Sequence, residues 1–272
     1  MRKLTLKLSR STIVRKTVKF LRLHLLANWW LHRFPVVKTL PGSGICYRAR
    51  RVESLGLSVE MLDEGTLYPI SNMLDGIRTF VDLGCNVGYF TCWLCHQLKS
   101  TQLKGLMVDA HPDAIEDARW HVTTNKLHNV HVLHGLVGMR GKGAQANFFM
   151  HASSVVSTAT PPDISLSEAN TWTQIQVPCI GIEENWSKHF GNEPCDLLKI
   201  DIEGSEMDFF RNETNFLQRV QTILIEWHKW RVSLGEIEEF LSEQGFSLKL
   251  ILHEDAEVGT AIFSRRLTQL CF

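Results

Sequence analysis

A chain of 272 residues with 44% hydrophobic and 21% charged residues has room for one large α/β domain with a short appendage, and its composition excludes a disordered or fibrous protein. Its net charge of +0 hides an uneven distribution: residues 1–52 hold 13 of the 29 Lys/Arg and no acid, so the remainder carries 16 − 29 = −13. Seven scattered cysteines suit reduced thiols in a cytoplasm better than a disulfide frame.

In chain order, Val14, Val18, Leu21, Leu25 and Trp29 recur at helical spacing and predict an amphipathic helix over 11–33, ended by Pro35 and Pro41-Gly42. Arg15, Lys16, Lys19 and Arg22 lie between the stripe positions. The plainer reading docks this helix on its own domain with a solvated basic face. The functional one lays residues 1–33 on an anionic membrane surface, which puts the protein in the cytoplasm or peripherally at the inner membrane surface. Leu23–Leu31, broken by His24 and Asn28, is far short of the ~20 apolar residues of a spanning helix, and no cleavage site marks a secretory signal. Residues 1–43 are set apart as a basic amphipathic segment, with the main domain over 44–272.

From Thr79 strands and helices alternate. Strands are expected at Thr79–Leu83, Gly105–Val108, Val130–Leu133, Asp196–Ile200 and Gln221–Ile225, the last apolar on both faces as in a central parallel strand. Val87, Phe90, Leu94 and Leu98 give a helical stripe, and a second helix runs over 112–127. Cys92 and Cys95 form a C-x-x-C pair within the first, without the second pair that zinc needs. Residues 136–180 break the alternation as an insertion, with short strands at Ala146–Met150 and Gln174–Val177. Ser233-x-x-Glu236 is a capping box opening a helix closed by Gly245; Phe246–Leu252 and Val258–Ser264 then read as a terminal antiparallel hairpin. The whole predicts an α/β doubly wound sheet, mostly parallel, of the Rossmann-like kind found in class I methyltransferases.

Two stretches carry chemistry. Asp82-Leu83-Gly84-Cys85-Asn86-Val87-Gly88 turns from strand to helix, where free backbone N–H groups await a ligand. It lacks the G-x-G-x-x-G of a nicotinamide oxidoreductase, and the acid Asp82 repels a pyrophosphate but suits the cationic amino end of S-adenosylmethionine, directly or through water. Asp109 ends the second strand, where an acid reaches ribose hydroxyls; it could also cap the helix opening at Pro112. Further on, Asp201 and Glu203 end one strand and Glu226 and His228 the next. Alternate residues project to one side, so the four can converge.

These residues resemble the FkbM-type methyltransferases. The match comprises the Asp82–Gly88 loop, Asp109 with Pro112, Asn125 closing the next helix, Ser153-Ser154 in the insertion, Lys199-Ile200-Asp201-Ile202-Glu203-Gly204-Ser205-Glu206, and Glu226-Trp227-His228, over about residues 79–264, with a fainter match from Arg50 to Pro69. The resemblance implies an S-adenosylmethionine-dependent O-methyltransferase acting on a hydroxyl of a glycan or small molecule. Asp82, Gly84, Asn86, Gly88, Asp109 and Asp201 would bind cofactor, His228 would act as base, and Asp201 and Glu203 would position the acceptor. Asp201, Glu226 and His228 could alternatively hold Mg²⁺. A plainer reading has His228 capping its strand and Glu206 pairing with a lysine. Two other functions remain open, nucleic-acid methylation and a non-catalytic nucleoside-binding scaffold at a membrane. Against the first, Pro161-Pro162 is followed by Asp163 and not by the aromatic residue that amino-group methylators carry.

Overall fold

In a computed structural model, described here over residues 23–63, 73–138, 144–151 and 172–266, the chain opens with helix α1 (Leu23–Arg33) and a two-stranded hairpin, β1 (Val36–Thr39) and β2 (Cys46–Ala49). Helix α2 (Val52–Ser58) and a π-helical turn (Val59–Asp63) follow. The hairpin is absent from the sequence reading, and it straddles the boundary drawn at residue 43. Its strand β2 is fastened to the main domain: Tyr89 Oη donates to Arg48 O at 2.7 Å, and Asn125 brackets Cys46, accepting from its N–H and donating to its carbonyl, each at 2.7 Å. The first part of the basic helix, Pro69, Ser153-Ser154 and Pro161-Pro162 lie outside the described residues.

The alternating units then follow: β3 (Thr79–Leu83), α3 (Tyr89–Leu98), β4 (Lys104–Asp109), α4 (Pro112–Thr124), β5 (Val130–His134), the insertion strands β6 (Gln145–His151) and β7 (Trp172–Pro178), and α5 (Ile182–Phe190). They continue with β8 (Cys195–Ile200), α6 (Glu206–Asn212), α7 (Thr214–Leu217), β9 (Val220–His228), α8 (Leu234–Glu243), β10 (Phe246–Glu254) and β11 (Val258–Arg265). The seven-stranded sheet has the order β10-β11-β9-β8-β3-β4-β5. Pairings from β9 to β5 are parallel, and β11 enters antiparallel between β9 and β10. This is the doubly wound sheet with a terminal hairpin expected from the pattern. The insertion pairs as its own antiparallel β6–β7 ribbon.

Both sheet faces are covered, which is why all five residues of β3 are buried. One core gathers Phe80, Leu197 and Leu224 with Phe90 and Trp93 of α3, Ile115 of α4, and Met61 and Leu62 of the π-turn. The other joins Val81, Leu198 and Ile225 to Trp186, Phe210, Phe216 and Leu241 of α5 to α8. Capping fixes the last helix: Glu236 N donates to Ser233 Oγ, and the Glu236 carboxylate accepts from Ser233 N at 2.9 Å. Cys92 and Cys95 are buried in the first core, where burial pushes the Cys95 thiol up to about 12 and raises the Cys92 thiol well above its ordinary value, which disfavours the reactive thiolate.

Candidate active site

Along β3, β8 and β9 the residues facing the first core change from apolar to ionisable toward the carboxyl ends. The register sets Phe80 beside Leu197 and Asp82 beside Lys199, with Leu224 next to Lys199. Past that layer the same face carries Asp201, Glu226 and His228. Strand alternation therefore delivers the ionisable groups to one edge of the sheet, where doubly wound sheets bind ligands.

The loop after β3 closes tightly. Gly84 has φ +66°, and a Cβ there would lie 1.6 Å from Asp201 O, so only glycine lets the loop rest on the end of β8. Asn86 also takes a left-handed backbone, φ +48°. Its N–H donates to Asp109 Oδ2 at 2.8 Å, while Asp109 Oδ1 accepts from His111 N at 2.7 Å. Asp109 thus holds the loop and braces the entry of α4 at once. His111 supplies the N-cap position of that helix without a side-chain cap. Gly84, Asn86 and Asp109 stay partly accessible; Gly88 is buried at the start of α3.

Asp82 departs from expectation. It is fully buried, its Oδ2 accepts from Thr91 Oγ1 at 3.2 Å, and its Oδ1 lies 3.5 Å from Lys199 Nζ. Burial raises its pKa against the Lys199 charge. Covered by α3, it cannot meet a ligand's amino group directly, and its part is to anchor Lys199. That ammonium donates to Gly84 O at 2.9 Å and Leu83 O at 3.3 Å and lies 3.4 Å from Asp201 Oδ2, tying β8 to the loop.

The turn after β8 is bent through two left-handed residues, Glu203 at φ +50° and Gly204 at φ +90°. A non-glycine residue there is uncommon and is held by its surroundings. Fully buried Glu206 accepts from Gly204 N at 3.0 Å and from His228 Nδ1 at 2.9 Å, and Glu203 Oε2 lies 3.2 Å from His228 Nε2. Both ring nitrogens face carboxylates and can donate only if both carry protons. The two carboxylates outweigh the cost of burial and raise the His228 pKa to about 11. His228 is therefore pushed toward its charged form, in which neither ring nitrogen has a lone pair to offer. The expectation that it serves as base does not fit this geometry, and Glu206 pairs with it instead of with a lysine.

The same pairing bears on a metal. Ligand atoms of Asp201, Glu203 and His228 lie within 4.8 Å of one another, a set that replaces Glu226 of the expected trio by Glu203. Both ring nitrogens of His228 already face carboxylates, so in this geometry the set offers Mg²⁺ carboxylate oxygens and no free ring nitrogen. Glu226 has a different environment. Partly accessible at the end of β9, it has its pKa raised to about 7, first by burial and then by the charge of Asp201.

Sequence reasoning missed one further group: His111 is buried beside Asp109, and its Nδ1 has no hydrogen-bond partner. Only the Asp109-Ala110-His111-Pro112 spacing could have pointed to it. A buried donor or acceptor left open at the carboxyl end of β4, with the acidic groups Asp201, Glu203 and Glu226 beyond β3, fits a cationic nucleoside such as S-adenosylmethionine.

A doubly wound sheet with this strand order, a glycine loop and an acid ending the second strand defines the class I methyltransferase fold. A family model described as methyltransferase FkbM domain matches residues 84–248, and the chain belongs to that family. It is 27% identical, over 183 residues and 62% of its own length, to a protein of Jannaschia sp. (strain CCS1) whose name assigns it provisionally to the methyltransferases; the chain likewise spans 62% of that relative. Among solved structures it is similar to M. capricolum TrmK in complex with S-adenosyl-homocysteine, at 11% identity and TM-score 0.45 over 74% of this chain and 70% of that one. It is also similar to a SAM-dependent methyltransferase from Aquifex aeolicus, at 12% identity and TM-score 0.43 over 79% and 98%. Likeness at that distance says nothing about the acceptor.

Proposed function

We propose that the chain is an S-adenosylmethionine-dependent O-methyltransferase acting on a hydroxyl of a saccharide or small molecule. The observation that carries this reading is the partly accessible carboxylate wall of Asp201, Glu203 and Glu226 beside the loop held by Asp109. When bound, S-adenosylmethionine supplies an electrophilic methyl group and a positive charge that such a wall suits. Asp109 keeps lone pairs for the ribose hydroxyls, with Gly84, Asn86 and Gly88 shaping the loop beneath.

An alcohol is a poor nucleophile until its proton leaves, and a carboxylate with pKa near 7 is matched to taking it near neutral pH. Glu226 takes that role in place of His228. Asp201 and Glu203 accept hydrogen bonds from the acceptor's other hydroxyls, and His228 holds Glu203 in place as its charged partner. Trp230, largely exposed, packs its edge on Gly204 next to this wall and offers a ring face to a saccharide. The acidic wall also repels a phosphate backbone, which disfavours nucleic acid as acceptor. In the same reading the catalytic domain takes in the hairpin from Val36 onward, since Tyr89 and Asn125 hold β2.

The test is transfer of labelled methyl to a panel of glycosides and phenols by the full chain. Label recovered as a methyl ether that survives mild base supports the reading. Label confined to nitrogen, carboxyl or RNA would replace it.

A further inference from the structure

Seven of the eleven residues of helix α1, Leu-His-Leu-Leu-Ala-Asn-Trp-Trp-Leu-His-Arg, are apolar. Among the described residues one side of it is covered. Leu31 is buried, and Asn28 reaches across, its Oδ1 accepting from Val52 N at 2.8 Å and its Nδ2 lying 3.4 Å from Glu53 Oε2. Successive residues advance 100° around the axis, so Leu25, Leu26, Trp29, Trp30 and Arg33 occupy one contiguous arc facing away from Leu31. The apolar members of that arc are 52–70% exposed, and Phe34, packed 5.6 Å from the Trp30 ring, extends the patch at 55%.

We infer that Leu25, Leu26, Trp29, Trp30 and Phe34 seat the protein on the surface of an anionic lipid bilayer. Charge selects this occupant over a second copy of the chain. The exposed Arg33 lies within the arc, and residues 1–52 carry 13 Lys/Arg with no acid, whereas the rest of the chain carries 16 − 29 = −13. An anionic surface attracts the first part and repels the second. Two adjacent tryptophans with a basic flank are the side chains that settle at the headgroup level. No described helix is long and apolar enough to cross, so the contact is interfacial.

The patch is tied to the edge of the sheet that holds the candidate site. Val52, bonded to Asn28, follows Arg51, which pairs with Asp113 in the first turn of α4, four residues after Asp109. A bilayer under α1 therefore lies on the side of the molecule to which that edge is fastened.

The experiment is sedimentation of the full chain with phosphatidylcholine vesicles, with and without phosphatidylglycerol, alongside Trp29→Ser/Trp30→Ser. The wild type should sediment with the anionic vesicles, its tryptophan emission shifting to the blue, and lose binding as salt rises. The double variant should partition at least ~10-fold less while keeping its melting temperature and its affinity for S-adenosylhomocysteine, because the altered side chains are exposed. Equal sedimentation of the two proteins, no binding of the wild type to anionic vesicles, or a dimer in light scattering that the double variant converts to monomer would each overturn the inference.

Discussion

Two buried histidines on opposite sides of the glycine loop have been driven to opposite charge states. His121 lies under the cofactor half: its Nδ1 is 2.7 Å from Val87 O, and its Nε2 accepts from Arg48 N at 2.9 Å. One donor and one acceptor fix a neutral tautomer, and burial lowers its pKa to about 4. His228, at the end of β9 where the acceptor is proposed to bind, meets two carboxylates and is raised to about 11. Burial alone does not decide a histidine's charge; its partners do. In the cofactor half, polar groups meet backbone dipoles, as Asp109 does with Asn86 and His111, and nothing there need change charge. The acceptor half sets ionisable groups against one another, which suits a region that handles a proton.

The comparison can be broken most sharply at Glu226. Glu226→Gln should lower turnover by ~10²–10⁴ with S-adenosylhomocysteine affinity nearly unchanged, as for loss of a general base. Turnover within a few-fold of wild type would place the base elsewhere. His228→Ala leaves Glu206 fully buried without its cation, which should cost ~3–5 kcal/mol of stability in denaturant titration. A loss below about 1 kcal/mol would mean the pair is not the charged one described here.

On the cofactor side, Asp109→Ala should weaken S-adenosylhomocysteine binding by ~1.5–3 kcal/mol in calorimetry, as for a lost charged hydrogen bond. Unchanged affinity would reduce Asp109 to a loop brace. The smallest effect separates the two histidines directly. His228 has a folded pKa above its unfolded one, so its contribution is complete below about 6.5 and declines as pH rises toward 11. Between pH 7.5 and 8.5 that decline is about 1.4 kcal/mol, while His121, neutral in both states, adds no slope. Denaturant titrations of wild type and His228→Gln at both pH values measure it, and parallel losses in the two proteins would contradict the assignment.

Strand ends and loop were legible in the sequence because they depend on local alternation and turn chemistry. Asp109, Glu226 and His228 fall at strand ends as that pattern puts them, whereas Asp201 and Glu203 lie just past β8, Glu203 in a left-handed turn and not on extended backbone. What stayed hidden depends on distant partners. Asp82 reads as a ligand contact until Thr91 and α3 are laid over it, and spacing cannot report depth. His228 reads as a base until Glu206, 22 residues away in sequence, closes on Nδ1. The β1–β2 hairpin escaped notice because its strands are only four residues each, and it is held by Tyr89 and Asn125 from beyond the local window. β9 runs three residues past the expected Ile225, since Glu226 and His228 belong to the strand though they are not apolar.

Lys199 has one more consequence. With its ammonium on the carbonyls of Leu83 and Gly84 and against Asp201, it acts as a rivet through the two halves of the site. Loop and acidic wall then do not open separately, and exchange of the Asp201 amide, which bonds Leu83 O at 3.1 Å, with solvent deuterium requires the whole sheet end to part. A ligand arriving there finds its seat already assembled and surrenders little freedom in ordering it.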